Sequence, residues 1–387
     1  MKRLLPLFLV AALGFGQSFF NMRGLGELAP VSDARVLGLG GPLALSYRNP
    51  GILVHLNQTS FNLSAFGAGA LGEEGGSQRL IGNVRPAGFH AAVPLPLKAR
   101  LLLGLDQRFG QDYDVWSESV PDTPYRYHII GRGGVYALRA GLSVSVFDML
   151  CVGGEYNYLL GSSRELRQIQ VSEGNYVSSD TVAARFSSHA FRVGAAVQGR
   201  EFSAAAFFEP GLDITVRNLF LTHGSVEDSF NTIGLPYTLG AGAGFLPTDR
   251  FGLAAGAEFR PWSEILVDGQ TRQHYRDAFR ASAGFWYELA ENWPIRLGYS
   301  YQDWYVTARY DSVHPARPDS VIWLDSPVSQ HAVHLGTSIP IPNFGSLDLG
   351  TEIARRNARG LAETAARLML SLSYHEAWAR RTRRWGY

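Results

Sequence analysis

The chain has 387 residues, 46% hydrophobic and 12% aromatic, with 35 basic against 34 acidic side chains. A formal charge of +1 supplies no basic face for nucleic acid, and 43 glycines, 22 phenylalanines and 17 tyrosines against 4 methionines favour strands and turns over helices. One cysteine, Cys151, excludes an internal disulfide and any cysteine-built metal site.

The chain opens with MKRLLPLFLVAALGFGQS. Lys2 and Arg3 form a basic region, Leu4 to Leu13 an apolar core, and Gly14 and Gly16 suit a small-residue cleavage site, so residues 1–16 are expected to be a cleaved signal peptide. The apolar run is too short for a spanning helix, which needs roughly 20 residues, and no later segment supplies one. Residues 17–55 hold the turn-rich stretch GLGGPLALSYRNPG, at positions 38–51. Taken alone it reads as a phosphate loop, a linker or a small compact element.

From residue 56 to 378 apolar residues recur at every second position, the period of a strand. Phe279, Ala281, Ala283, Phe285 and Tyr287 alternate with Arg280, Ser282 and Glu288; Leu347, Leu349 and Ile353 alternate with Asp348, Gly350 and Glu352. The segments begin near Asn57, Leu80, Ala99, Tyr127, Leu150, Thr181, Glu201, Ile233, Arg250, His274, Pro294, Gln330, Gly345 and Thr364. That makes about 14 strands, the even number of a bacterial outer-membrane barrel. Tight turns at PLPLK, VFDML, QGRE, LPTDR, LAEN and IPNFG alternate with longer polar loops, among them VSEGNYVSSDT, NLFLTHGSVEDSFNT and YDSVHPARPDSVIWLDSPVS. Short turns on one side and long loops on the other are the asymmetry of such a barrel, and a soluble sandwich or propeller has no reason for it. Trp286, Tyr287, Trp293, Tyr299, Tyr301, Trp304 and Tyr305 suggest an interfacial girdle. The expected fold is therefore all-β: a transmembrane antiparallel barrel over 56–378, an N-terminal extension, and a solvated basic aromatic tail at 379–387.

Chemistry-bearing motifs are weak. GAGALG at 67–72 fits a dinucleotide pattern, yet EEGGSQ follows where a helix is needed, so it reads as a surface loop. His331 and His334 point to opposite faces of a strand, which excludes a metal pair. No HExxH, P-loop lysine or GxSxG elbow occurs, leaving no catalytic, metal or cofactor site to assign. Alternation places Asp106, Arg108, Arg139, Glu155, Arg192, Glu258, Arg260, Arg276, Arg280, Glu288, Arg296, Asp348 and Glu352 inside the barrel. Both signs are present, as in an ion-pair network, with a polar throat or headgroup site as the functional alternative. Pro86, Pro210 and Pro261 interrupt strands and should mark bulges, kinks or ends. Pro261 reads as a strand end at a rim, and Pro86 as a gap in the wall through which an apolar ligand leaves sideways.

The stretch SDARVLGLGGPLALSYRNPGILVHLNQTSFNLSAF resembles the N-terminal region of the FadL-like outer-membrane barrels, including their PorV branch. Arg35, Gly38, Gly40, Gly41, Asn49 and Pro50 carry the likeness, with Gly51 where alanine is usual. The resemblance implies a 14-stranded barrel whose N-terminal segment, here 17–55, folds inward as a hatch. ETAARLMLSLSYHEAWARRTRRWGY is similar to the last strand and tail of PorV-like proteins, through Glu363, Glu376 and Trp378. The implied function is transport of hydrophobic small molecules, such as long-chain fatty acids or hydrocarbons, across the outer membrane without covalent chemistry. A PorV-like role in type IX protein secretion, or a weakly selective porin, is the alternative. The partners so implied are membrane lipids, a hydrophobic small-molecule ligand and the barrel-assembly machinery, with secretion-system proteins under the alternative.

Overall fold

The computed structural model describes residues 19–22, 24–29, 31–51, 59–74, 77–116, 126–147, 149–172, 175–222, 225–272, 274–290, 293–314, 317–342, 344–359 and 361–376. The expected signal peptide and the 379–387 tail lie outside them. Fourteen antiparallel strands form a closed ring. They are β1 (Thr59–Glu74), β2 (Ser77–Leu95), β3 (Ala99–Gly110), β4 (Arg126–Ser145), β5 (Leu150–Ser172) and β6 (Asn175–Gln198). Next come β7 (Phe202–Glu209, resuming as Leu212–Thr222), β8 (Ser225–Leu235, resuming as Thr238–Thr248) and β9 (Phe251–Arg260). The ring ends with β10 (Ala278–Ala290), β11 (Trp293–Asp303), β12 (Ser329–Ile341), β13 (Gly345–Ala358) and β14 (Leu361–Glu376). β14 closes on β1 from Thr59↔Glu376 to Glu73↔Ala362.

Alternation builds the wall. Leu63, Leu138, Leu142, Phe191, Val193, Val333, Leu335 and Ile353 are exposed outside, while Asp106, Arg139, Glu155, Arg192, His334 and Asp348 are buried inside. No described helix is long and apolar enough to cross a membrane; the strands carry the apolar exterior. Every strand pairs with two neighbours, so most of the wall's backbone groups meet partners within the ring.

Three expectations are corrected. Much of the polar segments at 171–181, 218–232 and 310–329 is strand: β5 and β6 run on to Ser172 and Asn175, β7 and β8 to Thr222 and Ser225, and Ala308–His314 pairs with Arg317–Ser326. These stretches carry polar residues on both phases, so they lose the alternation that marks the wall. GAGALG lies within β1, not in a loop. Of the proposed girdle, Tyr287, Trp293 and Tyr299 are exposed on the wall, but Trp304 and Tyr305 are buried in an apolar core at the barrel's outer end.

The prolines act as breakers. Pro210 and Pro236 interrupt β7 and β8 side by side, and β6–β7 pairing stops between Val193↔Phe208 and Ser187↔Thr215. Pro261 ends β9. At Pro86 the β1–β2 register slips, from Ser64↔Gly88 to Ala65↔Pro86, so Ala87 is an extra residue.

Candidate functional site

Residues 31–51 lie against the inner wall. A short helix, α1 (Ala34–Gly38), is capped by Asp33, which accepts a hydrogen bond from the Arg35 amide at 2.9 Å. Gly40 and Gly41, at φ +87° and +79°, end it in a conformation that costs other residues dearly. The chain then makes a tight turn at Leu43–Leu45 and reaches Asn49.

Small residues on both surfaces permit this close fit. A Cβ on Gly38 would sit 2.9 Å from the Gly336 Cα, and one on Gly40 would sit 2.7 Å from the Tyr299 carbonyl oxygen. From the wall, a Cβ on Gly284 or Gly350 would meet the carbonyl oxygen of Leu39 or Ala34 at 2.5 Å. Gly284, Gly298, Gly336 and Gly350 occupy four consecutive strands, with Gly284↔Gly298 and Gly336↔Gly350 directly paired, and form a trough for α1. Alternation could have found this row: four glycines on the inner phase of adjacent strands.

Polar anchors complete the seat. Asn49 is 0% exposed. Its amide nitrogen donates to the Ala44 carbonyl at 2.9 Å and to the wall carbonyls of Ala206 and Ala195 at 3.3 and 3.4 Å. Its oxygen accepts from the Gly51 amide at 2.9 Å. Pro50 packs on Gly153 and Gly194. Arg35 reaches Asp348 at 3.5 Å and donates to the Tyr47 hydroxyl at 3.0 Å. Arg48 lies 3.4 Å from Asp106 and donates to the Gln107 carbonyl at 3.0 Å. Burial is the largest influence on Arg48 and pushes it down to about 9, with Asp106 working the other way.

The inner charges form several paired groups, the largest around Asp106, Glu155 and Glu209. Asp106 accepts from Arg139 at 3.0 Å, Arg139 pairs with Glu155 at 2.5 Å, and Arg192 joins Glu155 at 3.4 Å to Glu209 at 2.5 Å. Arg108 pairs with Glu209 from across the lumen. Glu258 pairs with Arg260, and Arg280 donates to the Gly40 carbonyl at 3.2 Å. Arg296 donates to Ser338 at 2.9 Å, and Glu352 pairs with Arg367 at 2.7 Å. Glu288 is half-buried on the inner phase. Arg276 is corrected: it precedes β10 and is exposed, since alternation does not extend past the strand's start. Arg48 and Glu209 in the Asp106 group, and Glu27, Arg356 and Arg367 in the group around Glu352, were not anticipated. Glu209 precedes Pro210 at a strand end and Arg48 lies in a turn, where no periodicity marks a face.

The break at Pro86 has a second side. Among the described residues, β2–β3 pairing runs only from Leu95↔Ala99 to Gly88↔Asp106. Beyond it the free edge of β3 is taken by the N-terminal segment, with Glu27↔Gly110 and Leu28↔Phe109 paired and the Ala29 amide donating to the Arg108 carbonyl at 2.9 Å. Arg85 spans the opening, paired with Asp112 and donating to the Gly133 carbonyl at 3.1 Å. Behind it lies a cavity of about 50 Å³ lined by Phe66, Ala70, Glu27, Arg85, Arg356 and Arg367. At the outer end Phe20 and Leu25 fill a cup of Phe109, Trp262, Tyr275, Trp304 and Tyr305. The Tyr305 hydroxyl accepts from the Leu25 amide at 2.9 Å and donates to the Gly26 carbonyl at 2.6 Å.

No family model and no curated protein matches the sequence. Solved structures do. A Pseudomonas aeruginosa FadL homologue aligns at TM-score 0.62 and 13% identity, over 94% of this chain and 100% of that one. The Ralstonia pickettii toluene transporter TbuX aligns at 0.61 and 14%, over 90% and 99%. The P. putida toluene transporter TodX aligns at 0.57 and 15%, over 94% and 98%. A plugged ring of 14 strands, aligned over nearly the full length of these proteins, has the fold of the FadL-type outer-membrane β-barrels.

Proposed function

We propose that this chain is an outer-membrane channel for hydrophobic small molecules, in which residues 31–51 act as a hatch and the break beside Pro86 is a sideways exit. The observation that carries the reading is the pairing of β3: its edge leaves β2 at Gly88 and is covered from within by residues 27–29. An opening closed by a movable segment suits a path into the bilayer. It needs no water-filled bore, which a hydrophobic molecule would avoid.

The chain's own groups set the sequence of events. The aromatic cup at the outer end receives the apolar molecule as Phe20 and Leu25 withdraw. Withdrawal strips Glu27–Ala29 from β3, and separation of Arg85 from Asp112 clears the gap. A cavity of about 50 Å³ is far below the several hundred Å³ of a ligand pocket, which supports reading the described state as closed. The neighbours named as toluene transporters favour small hydrocarbons as cargo. The secretion alternative rests on Glu363 and Glu376 within β14, and on Trp378 and the basic tail, which lie outside the described residues.

The test is to delete Ala87. Its loss restores a continuous β1–β2 register and draws β2 back toward β3. Uptake of toluene or a labelled long-chain fatty acid into proteoliposomes should fall to the protein-free level, while the barrel still assembles and resists heat. Unchanged uptake would remove the sideways exit.

A further inference from the structure

Most inner arginines are matched by carboxylates, but one group outside is not. Arg132, Arg164, Arg185 and Arg217 are all exposed, on four adjacent strands, and share the exterior phase with Leu138, Leu160, Phe191 and Thr215. Arg132 stands directly opposite Arg164 across β4–β5, and Arg185 opposite Arg217 across β6–β7. Like charges facing each other across strands repel. On this face only Arg217 has a carboxylate partner among the described residues, Asp228 at 2.7 Å. Four cations against one anion is an arrangement that calls for a further anion.

Its height indicates which. A hydrophobic band about 25 Å tall takes roughly ten residues of a strand tilted near 40°. Along β5 the outward positions run Val152, Tyr156 and Leu160 from the tight-turn end, then Ser162 and Arg164. The arginines, with Leu219 and Leu221 beyond them on β7, therefore stand near the edge of the apolar band, on the side away from the tight turns, where outer-leaflet headgroups lie. Between them runs an exterior groove of about 820 Å³, lined by Arg185, Arg217, Ser162, Ser187 and Thr215 beside Leu160 and Phe230. Phe230 is 67% exposed, with the Arg217 guanidinium over its ring at 5.6 Å. Guanidinium and hydroxyl donors above apolar surface match a phosphate above acyl chains.

We propose that this face binds a lipid of the outer leaflet whose headgroup bears two phosphates, one at each arginine pair, with its acyl chains on the wall below. The site does not depend on the transport reading; it needs only the barrel and its orientation.

The experiment is a titration of the detergent-solubilised full chain, read by native mass spectrometry. The probes are diphosphoryl lipid A, monophosphoryl lipid A, phosphatidylcholine and inorganic phosphate. The diphosphoryl form should bind about tenfold tighter than the monophosphoryl form, as expected of roughly one unit of interaction per exposed arginine near a charged headgroup. Arg164→Gln with Arg185→Gln should weaken it by about tenfold or more, and added salt should weaken it further. Arg250→Gln, a charge removed at a tight turn, should change nothing. Equal binding by the double variant, or equal binding of phosphatidylcholine, would overturn the site. Inorganic phosphate binding as tightly as the lipid would overturn the lipid as its ligand.

Discussion

Asn49→Ala should release the hatch, and the size of the effect follows from its bonds. Asn49 makes two hydrogen bonds of 2.9 Å, to the Ala44 carbonyl and from the Gly51 amide, and two longer ones to the wall. The bonds to Ala44 and from Gly51 lie within the segment, so only the two to the wall carbonyls of Ala206 and Ala195 depend on its being seated. At about 0.5 kcal/mol net for each of these longer bonds, their loss favours release by about 1 kcal/mol, or about fivefold. The chain carries its own reporter. Cys151 is 1% exposed and lies on the inner phase of β5, two residues from Gly153, where Pro50 packs. A water-soluble maleimide should label it about fivefold faster in Asn49→Ala, provided the hatch reseats faster than the reagent reacts. Gly194→Ala attacks the same seat from the wall, since its Cβ would meet the Asn49 Oδ1 and stand 3.0 Å from the Pro50 Cδ. It should accelerate labelling too. If neither variant changes the rate while both barrels remain folded, the seat at Asn49 does not hold the hatch.

Other expectations are smaller in scope. Tyr305→Phe removes both bonds to the 25–26 backbone and should speed exchange of the Leu25 amide by about tenfold, leaving the β-ladder amides unchanged. Glu209→Gln takes the carboxylate from Arg108 and Arg192 together; breaking so buried a pair should cost about 3–5 kcal/mol, seen as a lower unfolding temperature on a heat-shift gel.

Strand period carried most of the fold. It is a local property, and Leu347–Ile353 shows it without help from any neighbour. It failed where its cause is missing: the hairpins at 175–181 and 225–232 carry polar residues on both phases, and Arg276 precedes its strand. The inner charges were legible one strand at a time, but their pairing was not. Arg108 meets Glu209 and Glu27 meets Arg356 across separations of 101 and 329 residues, which only closure of the ring fixes. Pro86 was readable as a breaker because proline cannot donate to a ladder. That residues 27–29 would cover the edge it frees was not, since Glu-Leu-Ala carries no strand signal. Trp304 and Tyr305 resembled a girdle because an aromatic suits a lipid interface and an apolar core alike.

The most direct test of the account is to locate the cargo during passage. A diazirine-bearing fatty acid, flashed during uptake into proteoliposomes and mapped by peptide mass spectrometry, should mark residues 85–88 of β2 and 105–110 of β3. Marks confined to the tight turns, with none at that break, would place the exit at the end of the barrel and contradict a path through the wall.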